Sequence, residues 1–179
     1  MDYKLLLTQH IKQVDFTQLR RAYVQRPDYE PYSLPNNMQP IGAAMKAQDW
    51  ATAGAMCAAM LEADLLQIDL HLLMSYLYSQ VADETRARWH RDFATGLTKS
   101  IMSSGDGQTF ATAFVVVHIR EEYDVLRFLG LLPVGQQLVI DDGRHYDVID
   151  VVDSQRNDAG QLHFDVEILQ SHLDQAQLS

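Results

Sequence analysis

Cysteine is nearly absent from this chain of 179 residues, with Cys57 standing alone. That excludes a disulfide framework and a thiolate zinc site, and it suits a reducing compartment. No apolar run is long enough to cross a bilayer. The most apolar stretch, Leu65 to Leu77, is interrupted by Gln67, Asp69 and His71, so it reads as a helix buried in protein. The first residues reach polar Thr8 and Gln9 after only three leucines, too short a core for an export signal. A soluble, cytoplasmic protein is the expectation. Basic residues are scarce in one half only. Residues 1–103 hold ten Lys/Arg against eleven Asp/Glu, whereas residues 104–179 hold four against thirteen, a net of −9. A field of that sign repels nucleic-acid phosphates and anionic lipid and attracts cationic partners, so neither direct nucleic-acid binding nor membrane binding is expected.

With a hydrophobic fraction of 47%, the chain has the composition of an ordinary globular protein. Helical periodicity runs over residues 2–12, and a second short helix is expected from Asp15, an N-cap candidate, to Val24. Proline-rich Arg26 to Pro35 reads as an ordered loop whose tyrosines pack on helices. From Pro40 the pattern is helical for some sixty residues, divided by cap signals at Asp49, near Asp64 and at Asp83 into four helices. Alanines and Gly54 in the Ala51 to Ala59 run suggest close approach of a neighbouring helix, as in helical hairpins of the tetratricopeptide kind.

Ser103 to Gly107 is the sharpest break. Beyond it the pattern predicts a strand over Ala113 to Ile119 and a short helix from Glu121 to Leu129 stopped by Gly130. Strands follow over Gln137 to Ile140 and Tyr146 to Val152, around Asp142-Gly143, and a last strand over Leu162 to Leu169. The fold class is α+β: a helical-hairpin region over 1–103, then an acidic, mainly antiparallel sheet region with one short helix over 104–179, packed together as one compact unit.

Several constellations bear on chemistry. His118, His145 and His163 lie on or beside strands, and the pairs His145/Asp147 and His163/Asp165 have the i, i+2 spacing that shares a face. Solvated sheet faces expose such residues routinely, so no metal site is assigned. Asp153 to Gly160 alternates polar residues like a calcium loop, but Phe164 stands where the final glutamate ligand belongs, and a hairpin turn explains it better. Glu121 and Glu122 diverge by about 100° on a helix, so they cannot together face one substrate, and helix capping accounts for them. His71 reads as a hydrogen-bonded core histidine, and Trp50 and Trp89 as packing between helices. No catalytic residue and no cofactor is assigned.

Ser104-Gly105-Asp106-Gly107, Thr112-Ala113-Phe114-Val115, Glu121-Glu122-Tyr123 with Leu126-Arg127 and Leu129-Gly130-Leu131, and Tyr146-Asp147-Val148 together resemble the pattern of an uncharacterised bacterial family of unknown function. Asp15-Phe16 and Arg20 to Tyr32 are similar to its N-terminal part. The resemblance implies a shared fold and supplies no activity.

The feature left for function is the acidic second half. Glu121, Glu122, Asp124, Asp141, Asp142, Asp147, Asp150, Asp153, Asp165 and Glu167 are read as a docking face for a basic protein. The expected role is a non-catalytic, immunity-type inhibitor that neutralises a cationic toxin encoded nearby. The alternatives are a helical-platform adaptor or chaperone, and a metal-dependent enzyme using sheet His and Asp residues.

Overall fold

Short-range caps decide where most helices begin. The computed structural model describes residues 11–33, 37–153, 155 and 158–177. The helix expected over residues 2–12 falls almost wholly outside them; Ile11–Gln13 form a 3-10 turn. Asp15 Oδ1 accepts from the Gln18 amide (2.9 Å) at the start of α1, Phe16–Tyr23. Four helices follow as expected: α2 Gln39–Lys46, α3 Trp50–Ala63, α4 Ile68–Gln80 and α5 Glu84–Met102. Asp49 caps α3 through the Thr52 amide (3.0 Å), and Asp83 accepts from the Arg86 amide (3.1 Å) in the first turn of α5.

The chain divides into two compact units, Met1–Tyr23 with Leu34–Leu97, and Val24–Ser33 with Thr98–Ser179. In the first, α3 packs on α2 and α4. Its inward stripe is Ala53, Cys57 and Leu61, four residues apart and wholly buried. Gly54 lies off that stripe: a Cβ there would meet nothing within 4 Å. The expected close helix approach therefore does not occur at Gly54, and Ala51, Gly54, Ala55 and Ala58 instead line an open groove with Met74 and Leu77. Burial pushes the Cys57 thiol up to about 11, so it is an inert core residue.

His71, fully buried, stacks on Phe93 with ring centroids 4.3 Å apart. Its Nε2 lies 3.0 Å from the Leu65 carbonyl and its Nδ1 3.0 Å from His90 Nδ1. A carbonyl only accepts, so His71 carries its proton on Nε2 and takes one from His90. Burial holds His71 down to about 3 and His90 to about 4, so both are neutral at physiological pH.

The second unit is a four-stranded mixed sheet with helices. β1 is Phe114–Val115, β2 Leu131–Asp141, β3 Arg144–Asp153 and β4 Ala159–Asp165; α6 spans Ile119–Leu129 and α7 Glu167–Gln177. The order is β1-β4-β3-β2, with β1 parallel to β4 and the other pairs antiparallel. The chain is thus α+β, helical in its first half with its strands in the second. Asp142 (φ 46°) and Gly143 (φ 76°) make the tight turn between β2 and β3, and Gly130 (φ 71°) ends α6.

Three strand boundaries differ most from expectation. The strand predicted over Ala113 to Ile119 stops at Val115, because Glu121 Oε2 takes the Val117 amide (2.8 Å) and His118 Nδ1 caps α6 through the Arg120 amide (3.0 Å). The last strand stops at Asp165, whose Oδ1 accepts from the Glu167 amide (3.1 Å) and starts α7. Glu167 to Leu169 are therefore helical. β2 begins six residues early, at Leu131, with a bulge between Pro133 and Gly135 that leaves Val134 as the extra residue.

Candidate functional site

Cross-strand partners share a face of a sheet. Asp147 pairs with Leu138 on one side and with Phe164 on the other, and Ile149 pairs with Gln136 and Leu162. Gln136, Leu138, Asp147, Ile149, Leu162 and Phe164 therefore occupy one face. His163 and Asp165 lie on the opposite face, with Val148 and Tyr146. The two His-x-Asp pairs are thus separated by the sheet itself. Each histidine has its own partner: His145 Nδ1 lies 3.1 Å from Glu167 Oε2, His163 Nδ1 3.1 Å from the Gly107 carbonyl, and His118 Nε2 3.1 Å from Ser33 Oγ. Among the described residues no three His, Cys, Asp or Glu side chains converge.

The motif residues sort into two groups. Ser104 to Gly107 are structural. The Asp106 and Gly107 amides donate to the Thr112 carbonyl (3.0 and 2.8 Å), Gly107 accepts from the His163 amide (2.9 Å), and Ser104 Oγ accepts from Val115 (2.9 Å), tying the loop to β1 and β4. Glu122, Tyr123 and Asp147 come together instead, with one addition the sequence pattern did not single out, Gln136. Its Nε2 donates to Asp147 Oδ2 (2.8 Å) and reaches Glu122 Oε2 (3.4 Å), while its Oε1 accepts from the Tyr123 hydroxyl (2.9 Å). Glu122 and Asp147 hydrogen-bond each other directly. The helical divergence of Glu121 and Glu122 is real, but Glu122 finds its second carboxyl on β3 rather than on its own helix.

Glu122 is fully buried, and among the described residues its Oε1 has no donor. Burial above all, then the Asp147 charge, the hydrogen bond to it and the charge of Glu121, push its carboxyl up to about 10, so it holds a proton and donates it to Asp147. The 24–33 loop brings a further ring to this place. The Tyr29 hydroxyl donates to the Val117 carbonyl (2.7 Å), Pro31 accepts from Ile119 (3.1 Å), and Ser33 meets Arg120 Nη1 (3.2 Å). So pinned, Tyr32 feels Asp147 and Glu122: burial first, then these charges, raise its hydroxyl, and Tyr123 shifts the same way with Glu122 the larger of the two charges. Both rings remain partly in solvent.

The ten acids expected to form one docking face do not lie together at the surface. Glu121, Glu122, Asp124, Asp147 and Asp165 are buried. Their loads are internal: Glu121 holds the Val117 amide, Asp124 meets Arg127, and Asp165 meets Arg144 (2.6 Å). Asp150, Asp153 and Glu167 are half-buried, Asp150 accepting from Gln161 (2.7 Å). Only Asp141 and Asp142, at the hairpin tip, are exposed. Directly before them runs a surface missed in the sequence. β2 is an edge strand, and Leu132, Val134, Leu138 and Ile140 on it are 55–67% exposed. The available signal was an eleven-residue stretch, Leu131 to Asp141, with one charge, at its end.

Neither curated proteins nor solved structures contain a match to this chain. A model of one protein family, described as a domain of unknown function, matches residues 6–174, nearly the whole length and every motif residue placed above. The chain belongs to that family, DUF4919.

Proposed function

We propose that the protein is a non-catalytic binding module that takes an extended, cationic segment of a partner protein along the open edge of β2. The observation that carries this reading is the edge itself: eleven residues long, unpaired on its outer side among the described residues, and exposing Leu132, Val134, Leu138 and Ile140 beside the uncharged Gln136 and Gln137. Edge strands of soluble proteins are ordinarily short, bulged or studded with lysine, because their free N–H and C=O groups template pairing with another chain. β2 has a bulge and Pro133 near its start but carries no basic residue. Strand addition supplies main-chain hydrogen bonds, and alternate side chains supply selectivity. Asp141 and Asp142 at the tip, within a half of net charge −9, favour a basic strand. A toxin that acts on nucleic acid is a partner of that chemistry, and on this reading the protein acts as an immunity-type inhibitor that covers it.

The test is titration with a synthetic peptide that alternates valine and lysine, beside the same peptide with glutamate for lysine. The lysine peptide is expected to bind, to weaken as salt rises, and to slow hydrogen exchange at the β2 amides. Leu138→Lys with Ile140→Lys should abolish this. Equal binding of the glutamate peptide, or binding indifferent to the two substitutions, overturns the reading.

A further inference from the structure

Glu122 stands in a place that favours a neutral side chain. It is wholly buried, its Oε1 faces no donor among the described residues, and its polar neighbours are a second carboxyl, Asp147, and one amide, Gln136. The proton that Glu122 holds now joins the two carboxyls; ionising it there is costly unless another cation takes that place, and glutamine would fill the same volume without that cost. What flanks the pair points to what joins it. Tyr32 and Tyr123 are 37% and 44% exposed and lie close enough for the two carboxyls to act on their hydroxyls. Carboxyls with aromatic rings nearby attract organic cations, and Tyr123 is tied to this pair through Gln136, which accepts from its hydroxyl (2.9 Å). A hard divalent ion fits poorly, since Gln136 turns a donor, Nε2, toward both carboxyls, and no third acidic or histidine ligand converges there among the described residues.

We propose that the Glu122–Asp147 pair, flanked by Tyr32 and Tyr123, is a binding site for an alkylammonium group, the head of a free amine or of a lysine side chain. The proton on Glu122 leaves to solvent as the ammonium arrives, and the ligand keeps its own three protons and donates them to Glu122 Oε1 and to Asp147. One positive charge enters and one leaves, so the buried pair is never left with two unneutralised charges. The groups that act on Glu122 during this exchange are Asp147 from β3, Glu121 and Tyr123 from α6, and Tyr32 from the 24–33 loop; Gln136 from β2 is uncharged. The site does not depend on the edge of β2, and small amines probe it without any strand pairing.

Calorimetric titration of the full chain with butylamine, and with an Nα-acetylated lysine amide, tests this in two buffers of different ionisation enthalpy. Between neutral and mildly alkaline pH each amine is expected to release about one proton on binding and to bind roughly tenfold tighter for each pH unit. That slope is read on the unmodified chain, so it needs no variant. Glu122→Gln should retain the fold and lose both the proton release and the slope, and Asp147→Asn should lose binding. Binding of the lysine amide and butylamine alike marks a head-group site open to either source; butylamine alone marks a free-amine site. Absence of binding by both amines overturns the proposal. So does binding without proton release, a slope that persists in Glu122→Gln, or tighter binding of magnesium or calcium than of either amine.

Discussion

A glutamate that keeps its proton in the folded protein makes stability fall as pH rises. The unfolded chain releases this proton near 4.5 and the folded chain near 10, so between those values the folded state binds one proton more. The stabilisation is full below pH 4.5 and is lost progressively on the way to 10. Each pH unit in that window lowers stability by up to about 1.4 kcal/mol. Glutamine at this position mimics the protonated acid and has no proton to lose. Glu122→Gln is therefore expected to match the unmodified chain in thermal unfolding near pH 5 and to exceed it increasingly toward pH 8. Parallel pH profiles for the two proteins would show that Glu122 is ionised in the fold. The histidine pair has the opposite sign. His71 and His90 are neutral in the fold and titrate near 6.5 when unfolded, so they favour unfolding as pH falls below that value.

Among elements, the loop from Ser104 to Thr112 sets where the sheet begins, and its tightest point is Gly105. A Cβ there would press on the Thr112 carbonyl oxygen, the acceptor of both the Asp106 and Gly107 amides. Backbone cannot swing aside as a side chain can, so Gly105→Ala is expected to cost about 1–3 kcal/mol. Gly54→Ala, in open space on a helix, should be neutral or stabilising by up to about 1 kcal/mol. Denaturant midpoints of the two variants decide the matter, and equal midpoints would remove the loop's assigned role. The same contrast explains how much of the fold was legible. The caps at Asp15, Asp49 and Asp83, the stop at Gly130 and the turn at Asp142-Gly143 act within three residues of themselves, and all were readable. The end of β1 depends on the Glu121 side chain reaching back to Val117, and that of β4 on the Asp165 side chain meeting the Glu167 amide. Periodicity reports neither. For the site, the Glu122-Tyr123 and Tyr146-Asp147 motifs were noticed, but only the register of β3 and the packing of α6 bring them into contact. Gln136, neutral and unremarkable in the sequence, joins them because β2 starts earlier than its pattern suggests.

For the whole molecule, burial redistributes the charge that composition announces. Five of the ten acids read as a docking face are internal, and the proton on Glu122 removes one of the nine net negative charges of residues 104–179. The acidic field survives as a long-range effect, while short-range contact falls to the apolar side chains of β2. These two effects act at different stages of association. Charge works at distances up to a Debye length, about 8 Å at physiological salt, and sets how often a cationic segment arrives; desolvated apolar contact sets how long it stays. Reversing Asp141 and Asp142 to lysine should therefore slow association of a basic strand several-fold and flatten its salt dependence, with dissociation nearly unchanged. Leu138→Ser with Ile140→Ser should leave association nearly unchanged and speed dissociation. Surface-immobilised chain exposed to the valine–lysine peptide at two salt concentrations separates the rates. If instead the charge reversals act on dissociation and the serines on neither rate, the partner sits on the hairpin tip and not along the strand.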